Sequence, residues 1–258
     1  MDVGVVGLGV VGSATAKLLS LAHTVHTFDI NGTGTVNTIR ELGERVEVAF
    51  VCVPTPTGLV NRLDVSIVRQ VCRDLENACV VAVRSTVPVG TCRKLPGRVV
   101  YNPEFCNART AYEDMVAAER IVIGGEDADA VRAVIRVYYD GWATAARPVL
   151  ASWEDAEALK LVTNVAMTAR IAFANEAKAV VEHHGADWGR VSYLLAHDGR
   201  LGHTGWQVPG PDGKPGFGGA CLPKDLLGFL AQATDARLVA PVTEAARSAN
   251  RKLRPEGK

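Results

Sequence analysis

Near the carboxyl end the chain reads Gly216-Phe217-Gly218-Gly219-Ala220-Cys221-Leu222-Pro223-Lys224-Asp225, a cysteine in a glycine loop with an aspartate four residues on. A thiolate is a strong nucleophile, and this setting favours one. Gly218 and Gly219 carry no Cβ, so backbone and ligand can approach closely. Pro223 fits the first turn of a following helix over about 224–232, where its missing N–H costs nothing. Cys221 then stands just ahead of a helix N-terminus, whose dipole favours the thiolate. Cysteines are more often small buried hydrophobes. Cys52, Cys72, Cys79, Cys92 and Cys106 take that reading.

The amino end supplies a second chemical signature. A short apolar run, Val3-Gly4-Val5-Val6, leads into Gly7-Leu8-Gly9-Val10-Val11-Gly12 and a helical stretch from about Ser13 to Ser20. In this strand, G-x-G-x-x-G, helix context Gly7 permits a tight turn and Gly9 lets a pyrophosphate sit against the backbone. Gly12 allows close helix–strand packing. Val25-His26-Thr27-Phe28-Asp29 reads as the next strand, ending in an acid seventeen residues after Gly12. A carboxylate there accepts hydrogen bonds from an adenosine ribose 2′-OH and repels a 2′-phosphate, which selects NAD over NADP. The plainer reading of Asp29 is an acid that opens a loop.

Composition fits an enzyme of this kind. A chain of 258 residues can bury a full core and lies near the size at which chains divide into two domains. Lysine plus arginine equals aspartate plus glutamate at 28 each, so no charge excess points to nucleic acid or an anionic membrane. The six cysteines form no C-x-x-C pair and no metal-ligand spacing with the six histidines. Reduced thiols in a cytoplasmic setting, and no bound metal, are therefore expected. The apolar start lacks a basic leader and is broken by four glycines within twelve residues, so it reads as strand and turn, not signal peptide. No run has the length of a membrane span.

Through the first half, runs rich in valine and isoleucine recur at Val46–Val53, Cys79–Val83, Arg98–Tyr101 and Arg120–Ile123. Amphipathic stretches such as Asp64–Leu75, with Asp64 as N-cap, lie between them. Such alternation predicts a parallel, doubly wound sheet. From about Trp153 the pattern turns helical. Glu154–His184 is alanine-rich without Gly or Pro, one long helix with Gly185 as its C′ residue. Further helices are expected over Asp187–Leu195, Lys224–Ala233 and Pro241–Lys252, and Leu253–Lys258 reads as a polar tail. The glycine- and proline-rich stretch from Gly199 to Gly219 reads as an ordered loop that positions Cys221. The expected class is α/β: a Rossmann-type domain over about 1–148, then an all-helical domain over about 149–258.

On the long helix Lys160 and Asn164 stand four apart and share one face. Both can donate to a developing oxyanion. Alone, a helical lysine is usually just solvated; the pair gains meaning beside Cys221. Further motifs follow in order along the chain. They are Val53-Pro54-Thr55-Pro56-Thr57, Ser85-Thr86-Val87-Pro88-Val89-Gly90-Thr91, Asn102-Pro103-Glu104-Phe105, Glu157–Asn164, Asn175-Glu176 and Asp198-Gly199-Arg200-Leu201-Gly202. With Gly7–Gly12 and Gly216–Asp225 they make most of the chain resemble the UDP-glucose/GDP-mannose dehydrogenase family. Enzymes of that family oxidise a sugar primary alcohol to a carboxylate in two NAD-dependent steps.

The resemblance implies roles by position. Cys221 would trap the intermediate aldehyde as a thiohemiacetal, whose oxidation gives a thioester. Lys160 and Asn164 would stabilise the oxyanion. Asp225, with Thr86 and Glu104, would order and activate the hydrolytic water. The implied NAD contacts are Gly7, Gly9, Val10, Val11, Gly12, Asp29, Val53, Pro54, Thr55, Thr57 and Thr86. The implied substrate contacts are Lys160, Asn164, Arg200, Gly218 and Lys224, with Arg200 reaching across a homodimer to the neighbouring subunit's substrate.

Three departures accompany the resemblance. Family members usually continue into a further α/β domain that grips the nucleotide, whereas this sequence stops where the helical region ends. The Ile30–Val48 segment is shorter than usual, and Ala108-Arg109 stands where the family commonly has glutamate and glycine. The added Pro209–Pro215 stretch is a candidate source of phosphate contacts. Two other readings stay open: a two-electron β-hydroxyacid dehydrogenase, against which the Gly216–Asp225 segment argues, and a non-catalytic nucleotide-binding protein.

Overall fold

Short apolar runs become strands because their side chains can be covered on both faces. They are β1 (Asp2–Val6), β2 (Thr24–Phe28), β3 (Val48–Val51), β4 (Val80–Val83), β5 (Arg98–Tyr101), β6 (Arg120–Gly124) and β7 (Arg147–Ala151). In the computed structural model, which describes residues 1–141 and 146–255, they form one seven-stranded sheet ordered β2-β1-β3-β4-β5-β6-β7. Pairing is parallel from β2 through β5 and again between β6 and β7. Only β5 and β6 run antiparallel, paired at Tyr101 and Gly124. The expected doubly wound sheet is therefore present, with one reversal.

Strand alternation divides the core of this sheet in two. Ala49 and Val51 of β3 join a cluster with Leu42, Val68, Val71 and Leu75, from α2 (Ile39–Arg45) and α3 (Ser66–Leu75). Val48 and Phe50 join the opposite cluster with Leu19 of α1 (Val10–Leu19) and Val134, Val137 and Tyr138 of α5 (Ala128–Gly141). A short α4 (Ala111–Val116) packs Ala111 and Met115 on Ala14 and Leu18. Strand β1 lies between β2 and β3, so the chain reverses its winding there. Ligands of such sheets bind beyond the carboxyl ends of the strands flanking that point.

Two elements carry little local signal. Helix α2 buries only Leu42 and Gly43 in its seven residues. Its start is fixed by the Thr38 hydroxyl, which accepts from the Glu41 N–H at 3.1 Å. Strand β7 contains Pro148 and lies at the sheet edge, where a missing N–H is tolerated. Helix α1 begins at Val10, not near Ser13, because the Gly9 carbonyl already accepts from the Ser13 N–H at 2.9 Å. Asp64 opens α3 through a 2.8 Å bond from the Ser66 N–H, although the N-cap position belongs to Val65.

The chain divides into two compact units, Met1–Pro56 with Asp64–Lys160, and Thr57–Leu63 with Leu161–Lys258. The division falls inside α6 (Trp153–His183). Sequence alone explains the length of this helix. Ser152 Oγ accepts from the Asp155 N–H at 3.0 Å at one end, and Glu154 and Asp155 suit the positive end of the dipole. At the other end Gly185 takes φ +81° and its N–H donates to the Glu182 carbonyl, while Ala186 donates to Val181. That pair of bonds is a Schellman stop.

The second unit is helical, with α7 (Trp188–Ala196), α8 (Leu222–Asp235) and α9 (Pro241–Leu253) completing it. Asp187 caps α7 through the Gly189 and Arg190 N–H groups. Ala172 of α6, Phe217, Leu226 and Leu230 of α8, and Ala246 of α9 form its core. A second cluster joins Ala174, Trp188 and Trp206. The expected polar tail is partly structural. Leu253 ends α9 and Arg254 is bonded into the unit, whereas 256–258 lie outside the described residues.

Gly12 is a packing requirement. A Cβ there would lie 1.7 Å from the Gly7 carbonyl oxygen, so Gly12→Ala must displace backbone. It is expected to lower unfolding free energy by about 1–3 kcal/mol, read from chemical denaturation; an unchanged midpoint would contradict this role.

Candidate active site

In the first unit the loops after β1, β3, β4 and β5 gather at the carboxyl edge of the sheet. Gly7 turns with φ +90°, and a Cβ there would press on the Cys52 carbonyl at 2.9 Å. Gly9 has open space where a Cβ would stand. Asp29 serves this turn directly: its Oδ2 accepts from the Leu8 N–H at 2.7 Å, and its Oδ1 from the Asn31 N–H at 2.9 Å. Those amides hold its carboxyl below the usual aspartate value. Lone pairs remain on both oxygens for a further donor.

The next loops are tied to one another. The Thr55 hydroxyl donates to the Thr86 carbonyl at 2.8 Å, and the Ser85 hydroxyl donates to the Val53 carbonyl at 2.6 Å. Val53, Pro54, Thr55 and Thr86 therefore stand together, beside the turn of Gly7–Gly12. Thr57 belongs to the second unit, where it pairs with Leu63.

Two charged residues on the first turns of α6 reach these loops. Glu157 is fully buried; its Oε2 accepts from the Gly90 N–H at 2.6 Å and its Oε1 from the Cys92 N–H at 2.7 Å. Burial pushes its carboxyl above the ordinary value despite those donors. Lys160, one turn on, donates from Nζ to the Glu104 carbonyl at 2.6 Å and to Glu104 Oε1 at 3.2 Å. Their side chains are only 5% and 11% exposed. Burial raises the Glu104 carboxyl, but Lys160 and the Cys106 N–H outweigh it and leave it below 4.5, the ordinary value. Glu104 is thus an ionised carboxylate with one oxygen on Lys160 and the other on Cys106.

In the second unit Cys221 is exposed at the N-cap of α8, as its spacing predicts, with Pro223 in the first turn. One turn on, Asp225 is fully buried. Its Oδ2 accepts from Asn164 Nδ2 at 2.5 Å and its Oδ1 from Lys224 Nζ at 2.6 Å. Asn164, Lys224, Asp225 and Cys221 are therefore one assembly. The strand of loop before the cysteine is clamped: Asn175 Oδ1 accepts from the Gly216 N–H at 2.9 Å, and Asn250 Oδ1 from the Phe217 N–H at 2.7 Å. Arg254 bonds the Pro215, Lys214 and Gly216 carbonyls and the Asp212 carboxylate. Gly218 gives way to that arginine, since a Cβ there would meet Arg254 Nη1 at 2.2 Å, while Gly219 faces open space. Arg200 is 87% exposed and bonded to Asp198 of its own loop.

Of the other five cysteines, Cys72 and Cys92 are buried and Cys52, Cys79 and Cys106 half-buried. Burial pushes the thiols of Cys52 to about 11 and of Cys72, Cys79 and Cys106 to about 12, and holds that of Cys92 well above the ordinary cysteine value. None of the six forms a disulfide. Glu157, Asn250 and Arg254 were not assigned roles by spacing; only Glu157 left a signal, being three residues before Lys160 on one helical face. Among the described residues no cluster of His, Cys, Asp and Glu is placed to hold a metal, and no helix is long and apolar enough to cross a membrane.

Residues 33–141 match the model of the UDP-glucose/GDP-mannose dehydrogenase family, NAD binding domain, and residues 154–252 match the central domain of the same family. The UDP-glucose 6-dehydrogenase of Rickettsia bellii is 30% identical over 197 residues, which cover 71% of this chain and 44% of the relative. The chain thus spans about half the length of the curated relatives it matches. A UDP-glucose dehydrogenase structure from Pyrobaculum islandicum superposes with TM-score 0.85 at 26% identity, covering 97% of this chain and 68% of that one. A 3-hydroxyisobutyrate dehydrogenase structure from Mycobacterium tuberculosis reaches 0.73 at 20% identity, over 95% and 90% of the two chains, and shares the fold. NAD fits the residues present: open space at Gly9 and acceptor capacity on Asp29 suit a pyrophosphate and a ribose.

The Glu104–Lys160 pair carries a pH signature. The folded Glu104 value lies below 4.5, so the pairing energy is complete above that pH and is lost as pH falls through the folded value. Glu104→Gln leaves Lys160 buried without its counter-charge and is expected to cost on the order of 3 kcal/mol at neutral pH. The gap to the unmodified protein, measured by denaturant titration, should narrow as the medium is acidified below the ordinary glutamate value. A pH-independent gap would rule out this pairing.

Proposed function

The chain belongs to the UDP-glucose/GDP-mannose dehydrogenase family, and from that premise we propose that it oxidises the primary alcohol of a nucleotide sugar, of the UDP-glucose type, to a carboxylate. The observation that carries this reading is Cys221, exposed at the start of α8 with the buried Asp225 one turn on, bound by Asn164 and Lys224. NAD, when bound, accepts the hydride at each of the two oxidations. Cys221 Sγ adds to the aldehyde carbon left by the first, and the aldehyde oxygen takes a proton to give a thiohemiacetal. The second oxidation removes hydride from that carbon and leaves a thioester. Water then breaks the C–S bond, releasing the acid and the thiol.

The remaining residues divide between binding and charge control. Lys160 and Asn164 are donors one turn apart on α6 and suit the oxyanion. By the family resemblance Asp225, with Thr86 and Glu104, orders the hydrolytic water; donors within its own unit already orient the oxygens of each carboxylate. Gly218, Lys224 and Arg200 complete the substrate contacts, Arg200 from its exposed position toward a neighbouring subunit. The homodimer is supported by apolar residues left exposed on α6, Val162, Phe173 and Val180. The thiol chemistry needs a reducing compartment, which makes the cytoplasm its place of action. A two-electron reaction of the 3-hydroxyisobutyrate type is the second reading, favoured only by the shared fold.

Two measurements test this. With UDP-glucose, the unmodified protein should form two NADH per alcohol consumed, and Cys221→Ser should form no acid and at most one NADH. Full acid production by Cys221→Ser sinks the covalent mechanism, and one NADH from the unmodified protein selects the two-electron reading. Asn164→Ala should cost on the order of a hundredfold in rate. For the cofactor, Asp29→Ala should weaken NAD binding and narrow its preference over NADP in direct titration. Equal affinity of the unmodified protein for both would remove the role given to Asp29.

A further inference from the structure

Arg254 is the C-cap residue of α9, and all three of its guanidinium nitrogens are bonded to the stretch that leads to Cys221. Nε donates to the Pro215 carbonyl at 2.7 Å, Nη1 to Asp212 Oδ2 at 2.6 Å and Nη2 to Asp212 Oδ1 at 3.0 Å. Nη2 also reaches the Lys214 and Gly216 carbonyls, at 3.2 and 3.1 Å. The side chain is 11% exposed, so these bonds form where little water competes. The fork on Asp212 holds that carboxyl down at about 2.

Gly218 shows what this guanidinium decides. Gly216 and Gly219 take φ +76° and +80°, whereas the φ of Gly218 lies outside the left-handed region. Its torsion therefore does not call for glycine. Its Cβ position is closed all the same, since a methyl there would lie 2.2 Å from Arg254 Nη1 and 3.1 Å from Cζ. The nearest atom of any other residue is Asp212 Oδ2 at 3.5 Å, an ordinary contact. Arg254 is thus what requires glycine at 218. Beyond it, only Gly219 and Ala220 precede Cys221, and the buried Asp225 anchors the helix on the far side of the thiol.

We propose that Arg254 is a positioning residue for Cys221: its guanidinium is the wall against which Gly218 packs, and it thereby fixes the two-residue link to the thiol. The role rests on Cys221 as the reacting thiol of the proposed oxidation. Released from that wall, the link carries the thiol away from the start of α8, where the helix dipole favours the thiolate. A lysine cannot replace this arginine, because one ammonium lacks the planar fork that holds Asp212 and three carbonyls at once.

Alkylation of Cys221 by iodoacetamide at neutral pH, followed site by site by mass spectrometry in the full chain, tests this without turnover. A chain that forms no NADH from UDP-glucose therefore still answers it. Arg254→Ala and Arg254→Lys should each slow Cys221 alkylation about 2- to 5-fold, the worth of a charge at a helix terminus. Gly218→Ala should slow it as much by itself, but no further in the Arg254→Ala background, where its methyl has room. With UDP-glucose, Arg254→Ala should lower kcat by up to about a hundredfold and leave NAD affinity unchanged, a split that a loss of stability alone does not give. Should Arg254→Ala fail to fold, Asp212→Ala takes its place as the background, since among the described residues only Asp212 holds Nη1. Unchanged alkylation or unchanged kcat in Arg254→Ala, or a Gly218→Ala effect equal in both backgrounds, overturns the proposal.

Discussion

Glu157 and Lys160, two charged side chains one turn apart on α6, fix the loops that leave β4 and β5. Each is buried, and each has to find partners where water cannot reach. Glu157 finds the Gly90 and Cys92 N–H groups, and Lys160 finds the Glu104 carbonyl and carboxylate. These bonds set the path of the Ser85–Thr91 segment and the direction of the Glu104 carboxylate. Through the Thr55 and Ser85 hydroxyls the same constraint extends to the loop after β3. Unpairing any member leaves a charge or an amide buried, so the loops hold one arrangement.

The second unit solves a comparable problem with amides and a guanidinium. A glycine loop is adaptable by itself, because its backbone loses much entropy on ordering. Asn175 and Asn250 take its backbone N–H groups, and Arg254 gathers three of its carbonyls and Asp212. The turn leading to Cys221 is thereby held in one arrangement. Asp225, buried between Asn164 and Lys224, anchors the first turn of α8 from the other side of the cysteine. Residues at the far end of α9 thus contribute to the position of a thiol more than thirty residues earlier (Arg254 against Cys221).

The cysteines show how environment sorts one residue type. Five are packed where burial holds the thiol protonated, which removes them as competing nucleophiles at neutral pH. Cys221 is exposed and sits at a helix start. The covalent role proposed for Cys221 draws on that contrast.

Much of this was legible in the sequence wherever the physical cause is local. Gly7 must be glycine for its turn and Gly12 for its packing, β3 and β4 are continuous apolar runs, and α6 has its Ser152 cap, its unbroken interior and its Gly185 stop within one stretch of chain. The place of Cys221 at a helix start was likewise readable from its neighbours and spacing. Tertiary structure alone decided the rest. Helix α2 and strand β7 exist because of what they pack against, having too few apolar residues to announce themselves. Asp29 holds the glycine turn through Leu8, Glu157 holds Gly90 and Cys92, and Arg254 holds the cysteine loop. These partners lie between 21 and 67 residues apart where hydrogen bonds join them. Periodicity reports which face of an element is buried, but a hydrogen-bond partner that distant in sequence is chosen only when the folded chain brings donor and acceptor within bonding distance.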